Sequence, residues 1–155
     1  MVYKGSKERI AKYLLPIILK DRRPGQYYVE PFCGGCNMID KVDGNRIAND
    51  SNKYLIAMFE ALLNGWEPPV FVTKEQYEYI KAHKEEDYKL AAWAGLICTY
   101  GASWFEGWAG STFNTKAVKN GTAPYRVFQV ERTRNLVKQL PMVLKRQVRP
   151  CLIMH

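Results

Sequence analysis

Apolar positions in the first third of the chain follow two different periods. Ile10, Leu14, Ile17 and Ile18 recur at near-helical spacing, with Pro16 interrupting, and Pro24-Gly25 closes that element. Residues 27–32 then form a short apolar run bounded by glycine, the pattern of a buried strand, and 46–49 repeat it as a second strand. Between them lie the turn Cys33-Gly-Gly-Cys36, a short helix-like piece around Met38 and Ile39, and the Asp43-Gly44 turn. Asp50-Ser-Asn52 is placed to cap a helix from about Lys53 through Leu63, with Leu55, Met58, Phe59 and Leu62 on one face and Asn64-Gly65 as its stop.

Glu67-Pro-Pro-Val70 breaks the pattern, and the chain changes character beyond it. Thr73-Lys-Glu-Gln76 has the form of a capping box, opening a helix with Tyr77 and Ile80 on its inner side. The charged run from Lys81 to Lys89 reads as a solvated surface, and Leu90 to Tyr100 as an apolar, buried helix. Residues 101–110 are dense in glycine and tryptophan. A last helix is expected over roughly Val127 to Leu140, ended by Pro141.

The length of 155 residues predicts one domain with room for a small insertion, and 47% hydrophobic residues suffice for a real core. No apolar run is long enough to span a membrane and the start lacks a signal-peptide core, so a soluble intracellular protein is the expectation. The net charge of +8 is unevenly placed. Residues 1–110 hold 14 basic and 14 acidic side chains, whereas 111–155 hold nine basic ones against Glu131 alone. A neutral body with a basic end suits a polyanion such as nucleic acid; a solvated basic helix is the plainer alternative.

Cys33-Gly-Gly-Cys36 has the spacing of a redox or zinc motif. The other candidate ligands, Cys98, Cys151, His83 and His155, are scattered singly, so no zinc site is expected; two small residues filling a tight loop is the competing reading. More telling is the sequence of strand, glycine turn and acid. The first strand runs into Glu30, Gly34 and Gly35 follow, and Asp50 closes the second short apolar stretch 20 residues after Glu30. That order is how a nucleoside cofactor is held in a Rossmann-like sheet, with glycines admitting close backbone approach and the acid accepting from ribose hydroxyls.

Three ordered segments together resemble the DNA adenine methyltransferases of the amino-group-methylating class found in bacteria and their phages. They are Tyr3-Lys-Gly-Ser-Lys7, Val29-Glu-Pro-Phe-Cys-Gly-Gly35 and Ala48-Asn-Asp-Ser-Asn-Lys-Tyr-Leu-Ile56, and the resemblance extends over about residues 1–141. It implies an α/β fold, a partial Rossmann-like methyltransferase sheet with a mainly helical target-recognition insertion. Residues 1–69 would be the cofactor-binding part, 70–126 the insertion, and 127–155 a return helix and tail. It also implies S-adenosylmethionine as cofactor, double-stranded DNA as partner, and the cytoplasm of a bacterial or phage-infected cell as location.

On this resemblance the cofactor site comprises Tyr3, Lys7, Glu30, Phe32, Gly34, Gly35 and Asp50. Lys7 would neutralise the cofactor's carboxylate, Tyr3 would pack on it, and Glu30 would lie near its amino end or orient the loop. Asp50 has a helix N-cap as its competing role, and Lys7 that of a free surface lysine. DNA contacts would fall to Trp104, Asn114, Lys116, Lys119, Arg126, Arg132 and Arg134. Trp104, Phe105, Trp108 and Phe113 have a small local core as their alternative.

One family element is missing from the sequence. The family holds its flipped adenine with an Asp-Pro-Pro-Tyr tetrapeptide after the target-recognition region, and these 155 residues contain none. Glu67-Pro-Pro-Val70 imitates it but precedes the insertion, lacks the aromatic residue and reads as a turn. No catalytic residue is therefore assigned. Met142 to His155 departs from the family pattern, which raises the expectation of a truncated or frameshifted gene with impaired transfer. An unfinished sheet edge would favour self-association.

Overall fold

The computed structural model describes residues 1, 3–69 and 71–109. The helix expected at 127–140 and the tail lie outside the described residues. In chain order these form helix α1 (Ala11–Ile18), strand β1 (Tyr28–Glu30), strand β2 (Arg46–Ala48) and helices α2 (Lys53–Leu63), α3 (Lys74–Ala82) and α4 (Tyr88–Ala92). Short 3-10 turns lie at Ile39–Lys41 and Tyr100–Ala102, and Trp93–Ile97 extends α4 as a wider π-type turn. This mixture of helix with a short parallel sheet is compatible with part of the expected methyltransferase fold.

β1 and β2 pair in parallel, with Tyr28 opposite Arg46, Val29 opposite Ile47 and Glu30 opposite Ala48. Both strands are shorter than the pattern suggested. Pro31 has no N–H to give to a ladder, so β1 ends at Glu30. The pairing is prolonged by single bonds: Asn49 N donates to Glu30 O at 2.9 Å, and Cys33 N to Asn49 O at 2.8 Å. The second of these hangs the glycine loop on the end of β2.

α1 departs from expectation in two ways. The helix runs through Pro16, and its buried positions are Ala11 and Leu15, whereas Ile10, Ile17 and Ile18 are exposed. Nearly every residue of α1 is apolar, so spacing alone could not choose its inner face. A proline forfeits the bond from its own nitrogen to the carbonyl four residues back, here that of exposed Lys12, which water can reach.

Ala11 and Leu15 meet Tyr28, Met38, Ile39 and Val42 in one apolar cluster beneath the sheet. Ile39 is held from both sides, its N–H by the Glu30 carboxylate and its carbonyl by the guanidinium of buried Arg46, each at 3.0 Å. A second cluster joins Leu55, Met58 and Leu62 of α2 to Val72, Tyr77, the Ala92–Cys98 segment and Phe105, drawing on both sides of Pro69.

Capping explains where the helices start. Asn52, not Asp50, is the N-cap of α2, accepting from Tyr54 N and Leu55 N at 3.1 and 3.2 Å. The Thr73–Gln76 capping box is present in both directions, at 2.9 and 3.2 Å. The charged run after α3 is solvated along most of its length, but Glu85 turns back to accept from Lys53 Nζ at 2.6 Å and from the Tyr54 hydroxyl. The expected single helix over 90–100 is divided. Cys98 N reaches Trp93 O at 3.2 Å in a five-residue turn, and a hairpin follows in which Ala109 N donates to Cys98 O at 2.8 Å.

Candidate functional site

The carboxyl ends of β1 and β2 lie side by side, which is where open α/β sheets place their ligands. A cleft of about 220 Å³ opens there, lined by Tyr3, Lys4, Gly5, Ser6, Lys7, Glu30, Phe32, Cys33, Gly34, Gly35, Asn37, Met38 and Asp50. All seven residues expected at a cofactor site line it. The sequence reading missed Ser6 and Asn37. A polar residue inside the otherwise apolar piece after the glycines was the available signal.

Three chain segments make the walls. The first is the N-terminal arm, Met1 with residues 3–7, which crosses the glycine loop and carries Tyr3 and Lys7. The Lys7 carbonyl accepts from Ile10 N at 3.1 Å and Ala11 N at 2.9 Å, so the arm is tethered to the start of α1. The second wall is the loop itself. Gly34 has φ of +48°, and a Cβ there would stand 2.9 Å from Tyr3 Cε1. A Cβ on Gly35 would stand 2.8 Å from Tyr3 Cβ and 3.0 Å from both Asn37 Nδ2 and Met1 O. The close approach these glycines permit is thus made first by the chain's own arm.

The third wall is Asp50. Its Oδ2 accepts from Gly34 N at 2.9 Å and its Oδ1 from Asn52 N at 3.0 Å. One carboxylate therefore ties the loop after β1 to the cap of α2. A carboxylate has about four acceptor sites, so capacity remains for a ligand's hydroxyls.

Charge in the cleft is mixed. Glu30 is 9% exposed, and burial raises its carboxyl above the ordinary value, opposed by the Ile39 N–H and the Lys7 charge. The Tyr3 hydroxyl is also raised, first by burial and then by Asp50, against a hydrogen bond from Asn52. Cys33 and Cys36 are free thiols, and a hydrogen bond that the Cys36 thiol donates to Cys33, followed by burial, pushes Cys36 well up, away from the reactive thiolate. Among the described residues no group of three or more His, Cys, Asp or Glu side chains could hold a metal ion. Nor is any helix there long and apolar enough to cross a membrane.

Of the expected DNA contacts, only Trp104 is described. Its ring centroid lies 5.0 Å from that of Tyr54 and 4.9 Å from that of Phe105, so it packs on α2 and the hairpin. Trp108 donates its indole N–H to Val72 O at 3.0 Å, and Phe105 is buried. Phe105 belongs to the second apolar cluster, and Trp104 and Trp108 pack against it partly buried. Phe113, Asn114, Lys116, Lys119, Arg126, Arg132 and Arg134 lie outside the described residues. Glu67 is exposed and lines no part of the cleft.

Parallel strand ends, a glycine loop and an acid two residues past the neighbouring strand meet at this one cleft. Comparison with known families narrows this. A model described as D12 class N6 adenine-specific DNA methyltransferase matches residues 3–117, well over half of the chain. The chain belongs to this family of adenine-specific DNA methyltransferases, whose members normally use S-adenosylmethionine and act on DNA.

Proposed function

We propose that this chain binds S-adenosylmethionine in the cleft and acts on adenine in double-stranded DNA, as a member of its family, with transfer that is weak or absent in these 155 residues alone. The observation that carries the reading is the convergence of Tyr3, Lys7, Glu30, Phe32, Gly34, Gly35 and Asp50 on one cleft.

The donor set suits the group. Lys7 and Glu30 offer opposite charges for an amino-acid zwitterion, Asp50 offers acceptors for ribose hydroxyls, and exposed Phe32 offers an apolar face. When bound, the cofactor supplies an electrophilic sulfonium methyl. Lys7 and Glu30 would orient the amino-acid end, and Asp50 would fix the nucleoside end while holding the loop still. What the sequence lacks is the tetrapeptide that accepts from adenine's exocyclic amine, so no group of this chain is assigned to the proton or the flipped base.

Calorimetric titration with S-adenosylmethionine tests the binding half. Saturable heat that disappears in Asp50→Ala is expected. No heat from the wild-type chain would instead favour a nucleic-acid-binding protein that has given up the cofactor. Repeated turnover of labelled methyl into duplex DNA by the purified chain, lost in Asp50→Ala, would overturn the weak-transfer half.

Self-association is the second component of the proposal. β1 pairs only with β2 among the described residues, and Val29 on it is 52% exposed, leaving an edge and an apolar side chain for a further strand. Light scattering during gel filtration should give a mass above the 17.9 kDa of one chain.

A further inference from the structure

We infer that Asn37 is a positioning residue that fastens the N-terminal arm onto the glycine loop and thereby sets the ligand affinity of the cleft. Asn37 is 8% exposed, and its side chain is fully committed to the arm. Nδ2 donates to Met1 O at 2.9 Å and to Ser6 Oγ at 2.6 Å, while Oδ1 accepts from Met1 N at 2.7 Å.

The two ends of this contact differ in rigidity. Asn37 is followed directly by Met38 and Ile39, both buried in the cluster beneath the sheet, and Ile39 is bonded to Glu30 and Arg46. The arm is held more lightly. Residues 4–10 are exposed, and beside the Lys7 carbonyl's tie to α1 their bonds are Ser6 N to Tyr3 O at 3.0 Å, Glu8 N to Ser6 Oγ at 3.2 Å and an exposed Glu8–Lys41 ion pair at 2.7 Å, while Met1 N also donates to Gly35 O at 3.2 Å. The amide of Asn37 is the buried side chain that joins this arm at two points, Met1 and Ser6, to a fixed base. Only a side-chain amide carries two donors and an acceptor on so short a stem; aspartate lacks the donors, and serine lacks the reach to both partners.

The strap brings Tyr3 and Lys7 to the cleft. Releasing it would leave Glu30, Phe32 and Asp50 in place but make a ligand order the arm on binding, which lowers affinity. The affinity half of the inference rests on reading the cleft as an S-adenosylmethionine site; the clamp itself does not.

The test uses the full chain and two readouts. Hydrogen exchange followed by mass spectrometry, without ligand, should show residues 3–8 exchanging about tenfold faster in Asn37→Ala, with α2 unchanged. S-adenosylmethionine affinity should fall about tenfold in the same variant. Ser6→Ala, at an exposed position, should loosen the arm in the same direction. The double variant should loosen the arm by less than the sum of the two single changes, because both remove the Asn37–Ser6 bond and Ser6→Ala adds only the loss of the local Glu8 N–H bond. Unchanged exchange of the arm in Ser6→Ala and Asn37→Ala overturns the clamp. If Asn37→Ala loosens α2 as well, Ser6→Ala alone decides. A loosened arm with unchanged affinity overturns the link to binding. If the wild-type chain binds no S-adenosylmethionine, the cofactor reading fails, and exchange still decides the clamp.

Discussion

Gly34 donates its backbone N–H to Asp50 Oδ2 at 2.9 Å, across the ends of two paired strands. The residue expected to hold the ribose is thus also the one that holds the loop. Its other oxygen takes the N–H of Asn52, the cap of α2, so strand, loop and helix meet on one carboxylate.

Asp50→Ala should consequently show two losses. Stripping a charged acceptor from two backbone donors should lower stability by about 1–3 kcal/mol. Binding of S-adenosylmethionine should fall by at least about tenfold, on the same scale for a lost charged hydrogen bond. Urea unfolding measures the first and calorimetry the second. Unchanged unfolding would mean that the bonds to Gly34 and Asn52 carry no weight.

Gly35→Ala separates the loop from the acid. The added methyl would sit 2.8 Å from Tyr3 Cβ, closer than side chains tolerate, and 3.0 Å from the carbonyl of Met1. The arm must lift, so the variant should bind S-adenosylmethionine about tenfold or more weakly. Gly65→Ala is the control. It has φ of +84° and nothing within 4 Å of the added carbon, so it should cost only about 1–2 kcal/mol of backbone strain and leave binding alone. Equal affinity in the two variants would contradict a steric role for Gly35.

Several of these contacts were legible from the chain itself. The Thr73–Gln76 box and the Asn52 cap follow from residue types that satisfy helix-end donors locally, so sequence suffices for them. The strand pair and its acids were legible because glycine, proline and charge punctuate a short apolar run. The inner face of α1 was not, since a helix apolar all round takes its orientation from what packs on it. The division of the 90–100 helix was equally hidden. Gly95 has Phe105 Cε2 only 2.6 Å from where a Cβ would be, a long-range contact that no spacing within the helix reveals. Asn37 stands out in the sequence only as a polar residue in an apolar piece; its role was hidden because its partners, Met1 and Ser6, lie more than 30 positions away.

Acid titration should expose two carboxyls of opposite sign. Burial raises Glu30 above its ordinary 4.5, so the folded state holds that proton longer than the unfolded chain does. Stability attributable to Glu30 is then greatest below pH 4.5 and falls as pH rises through the raised value. Glu85 is the reverse: Lys53 and then Tyr54 hold it down at about 2, so its contribution is present above 4.5 and fades as pH falls toward 2. Thermal melts across this range should show Glu30→Gln removing the loss on the neutral side and Glu85→Gln removing the loss on the acid side. Glu85 is fully exposed, so its effect should also shrink in high salt. Identical pH profiles for wild type and Glu30→Gln would show that burial of this carboxyl has no energetic consequence.

DNA binding offers a test that does not depend on transfer. Lys116, Lys119, Arg126, Arg132 and Arg134 are the basic residues assigned to phosphates, in a segment whose only acid is Glu131. Each phosphate contact releases condensed counterions, so five contacts would give a slope of log affinity against log salt of about −4.5 on duplex DNA. Replacing Arg132 and Arg134 with alanine should make that slope shallower by about 2 and weaken binding alike on all sequences, since phosphates carry no base information. Fluorescence anisotropy on duplexes of differing sequence, over a salt series, measures both quantities. A slope near zero in the wild-type chain would show that the basic end is a solvated surface and not a DNA contact.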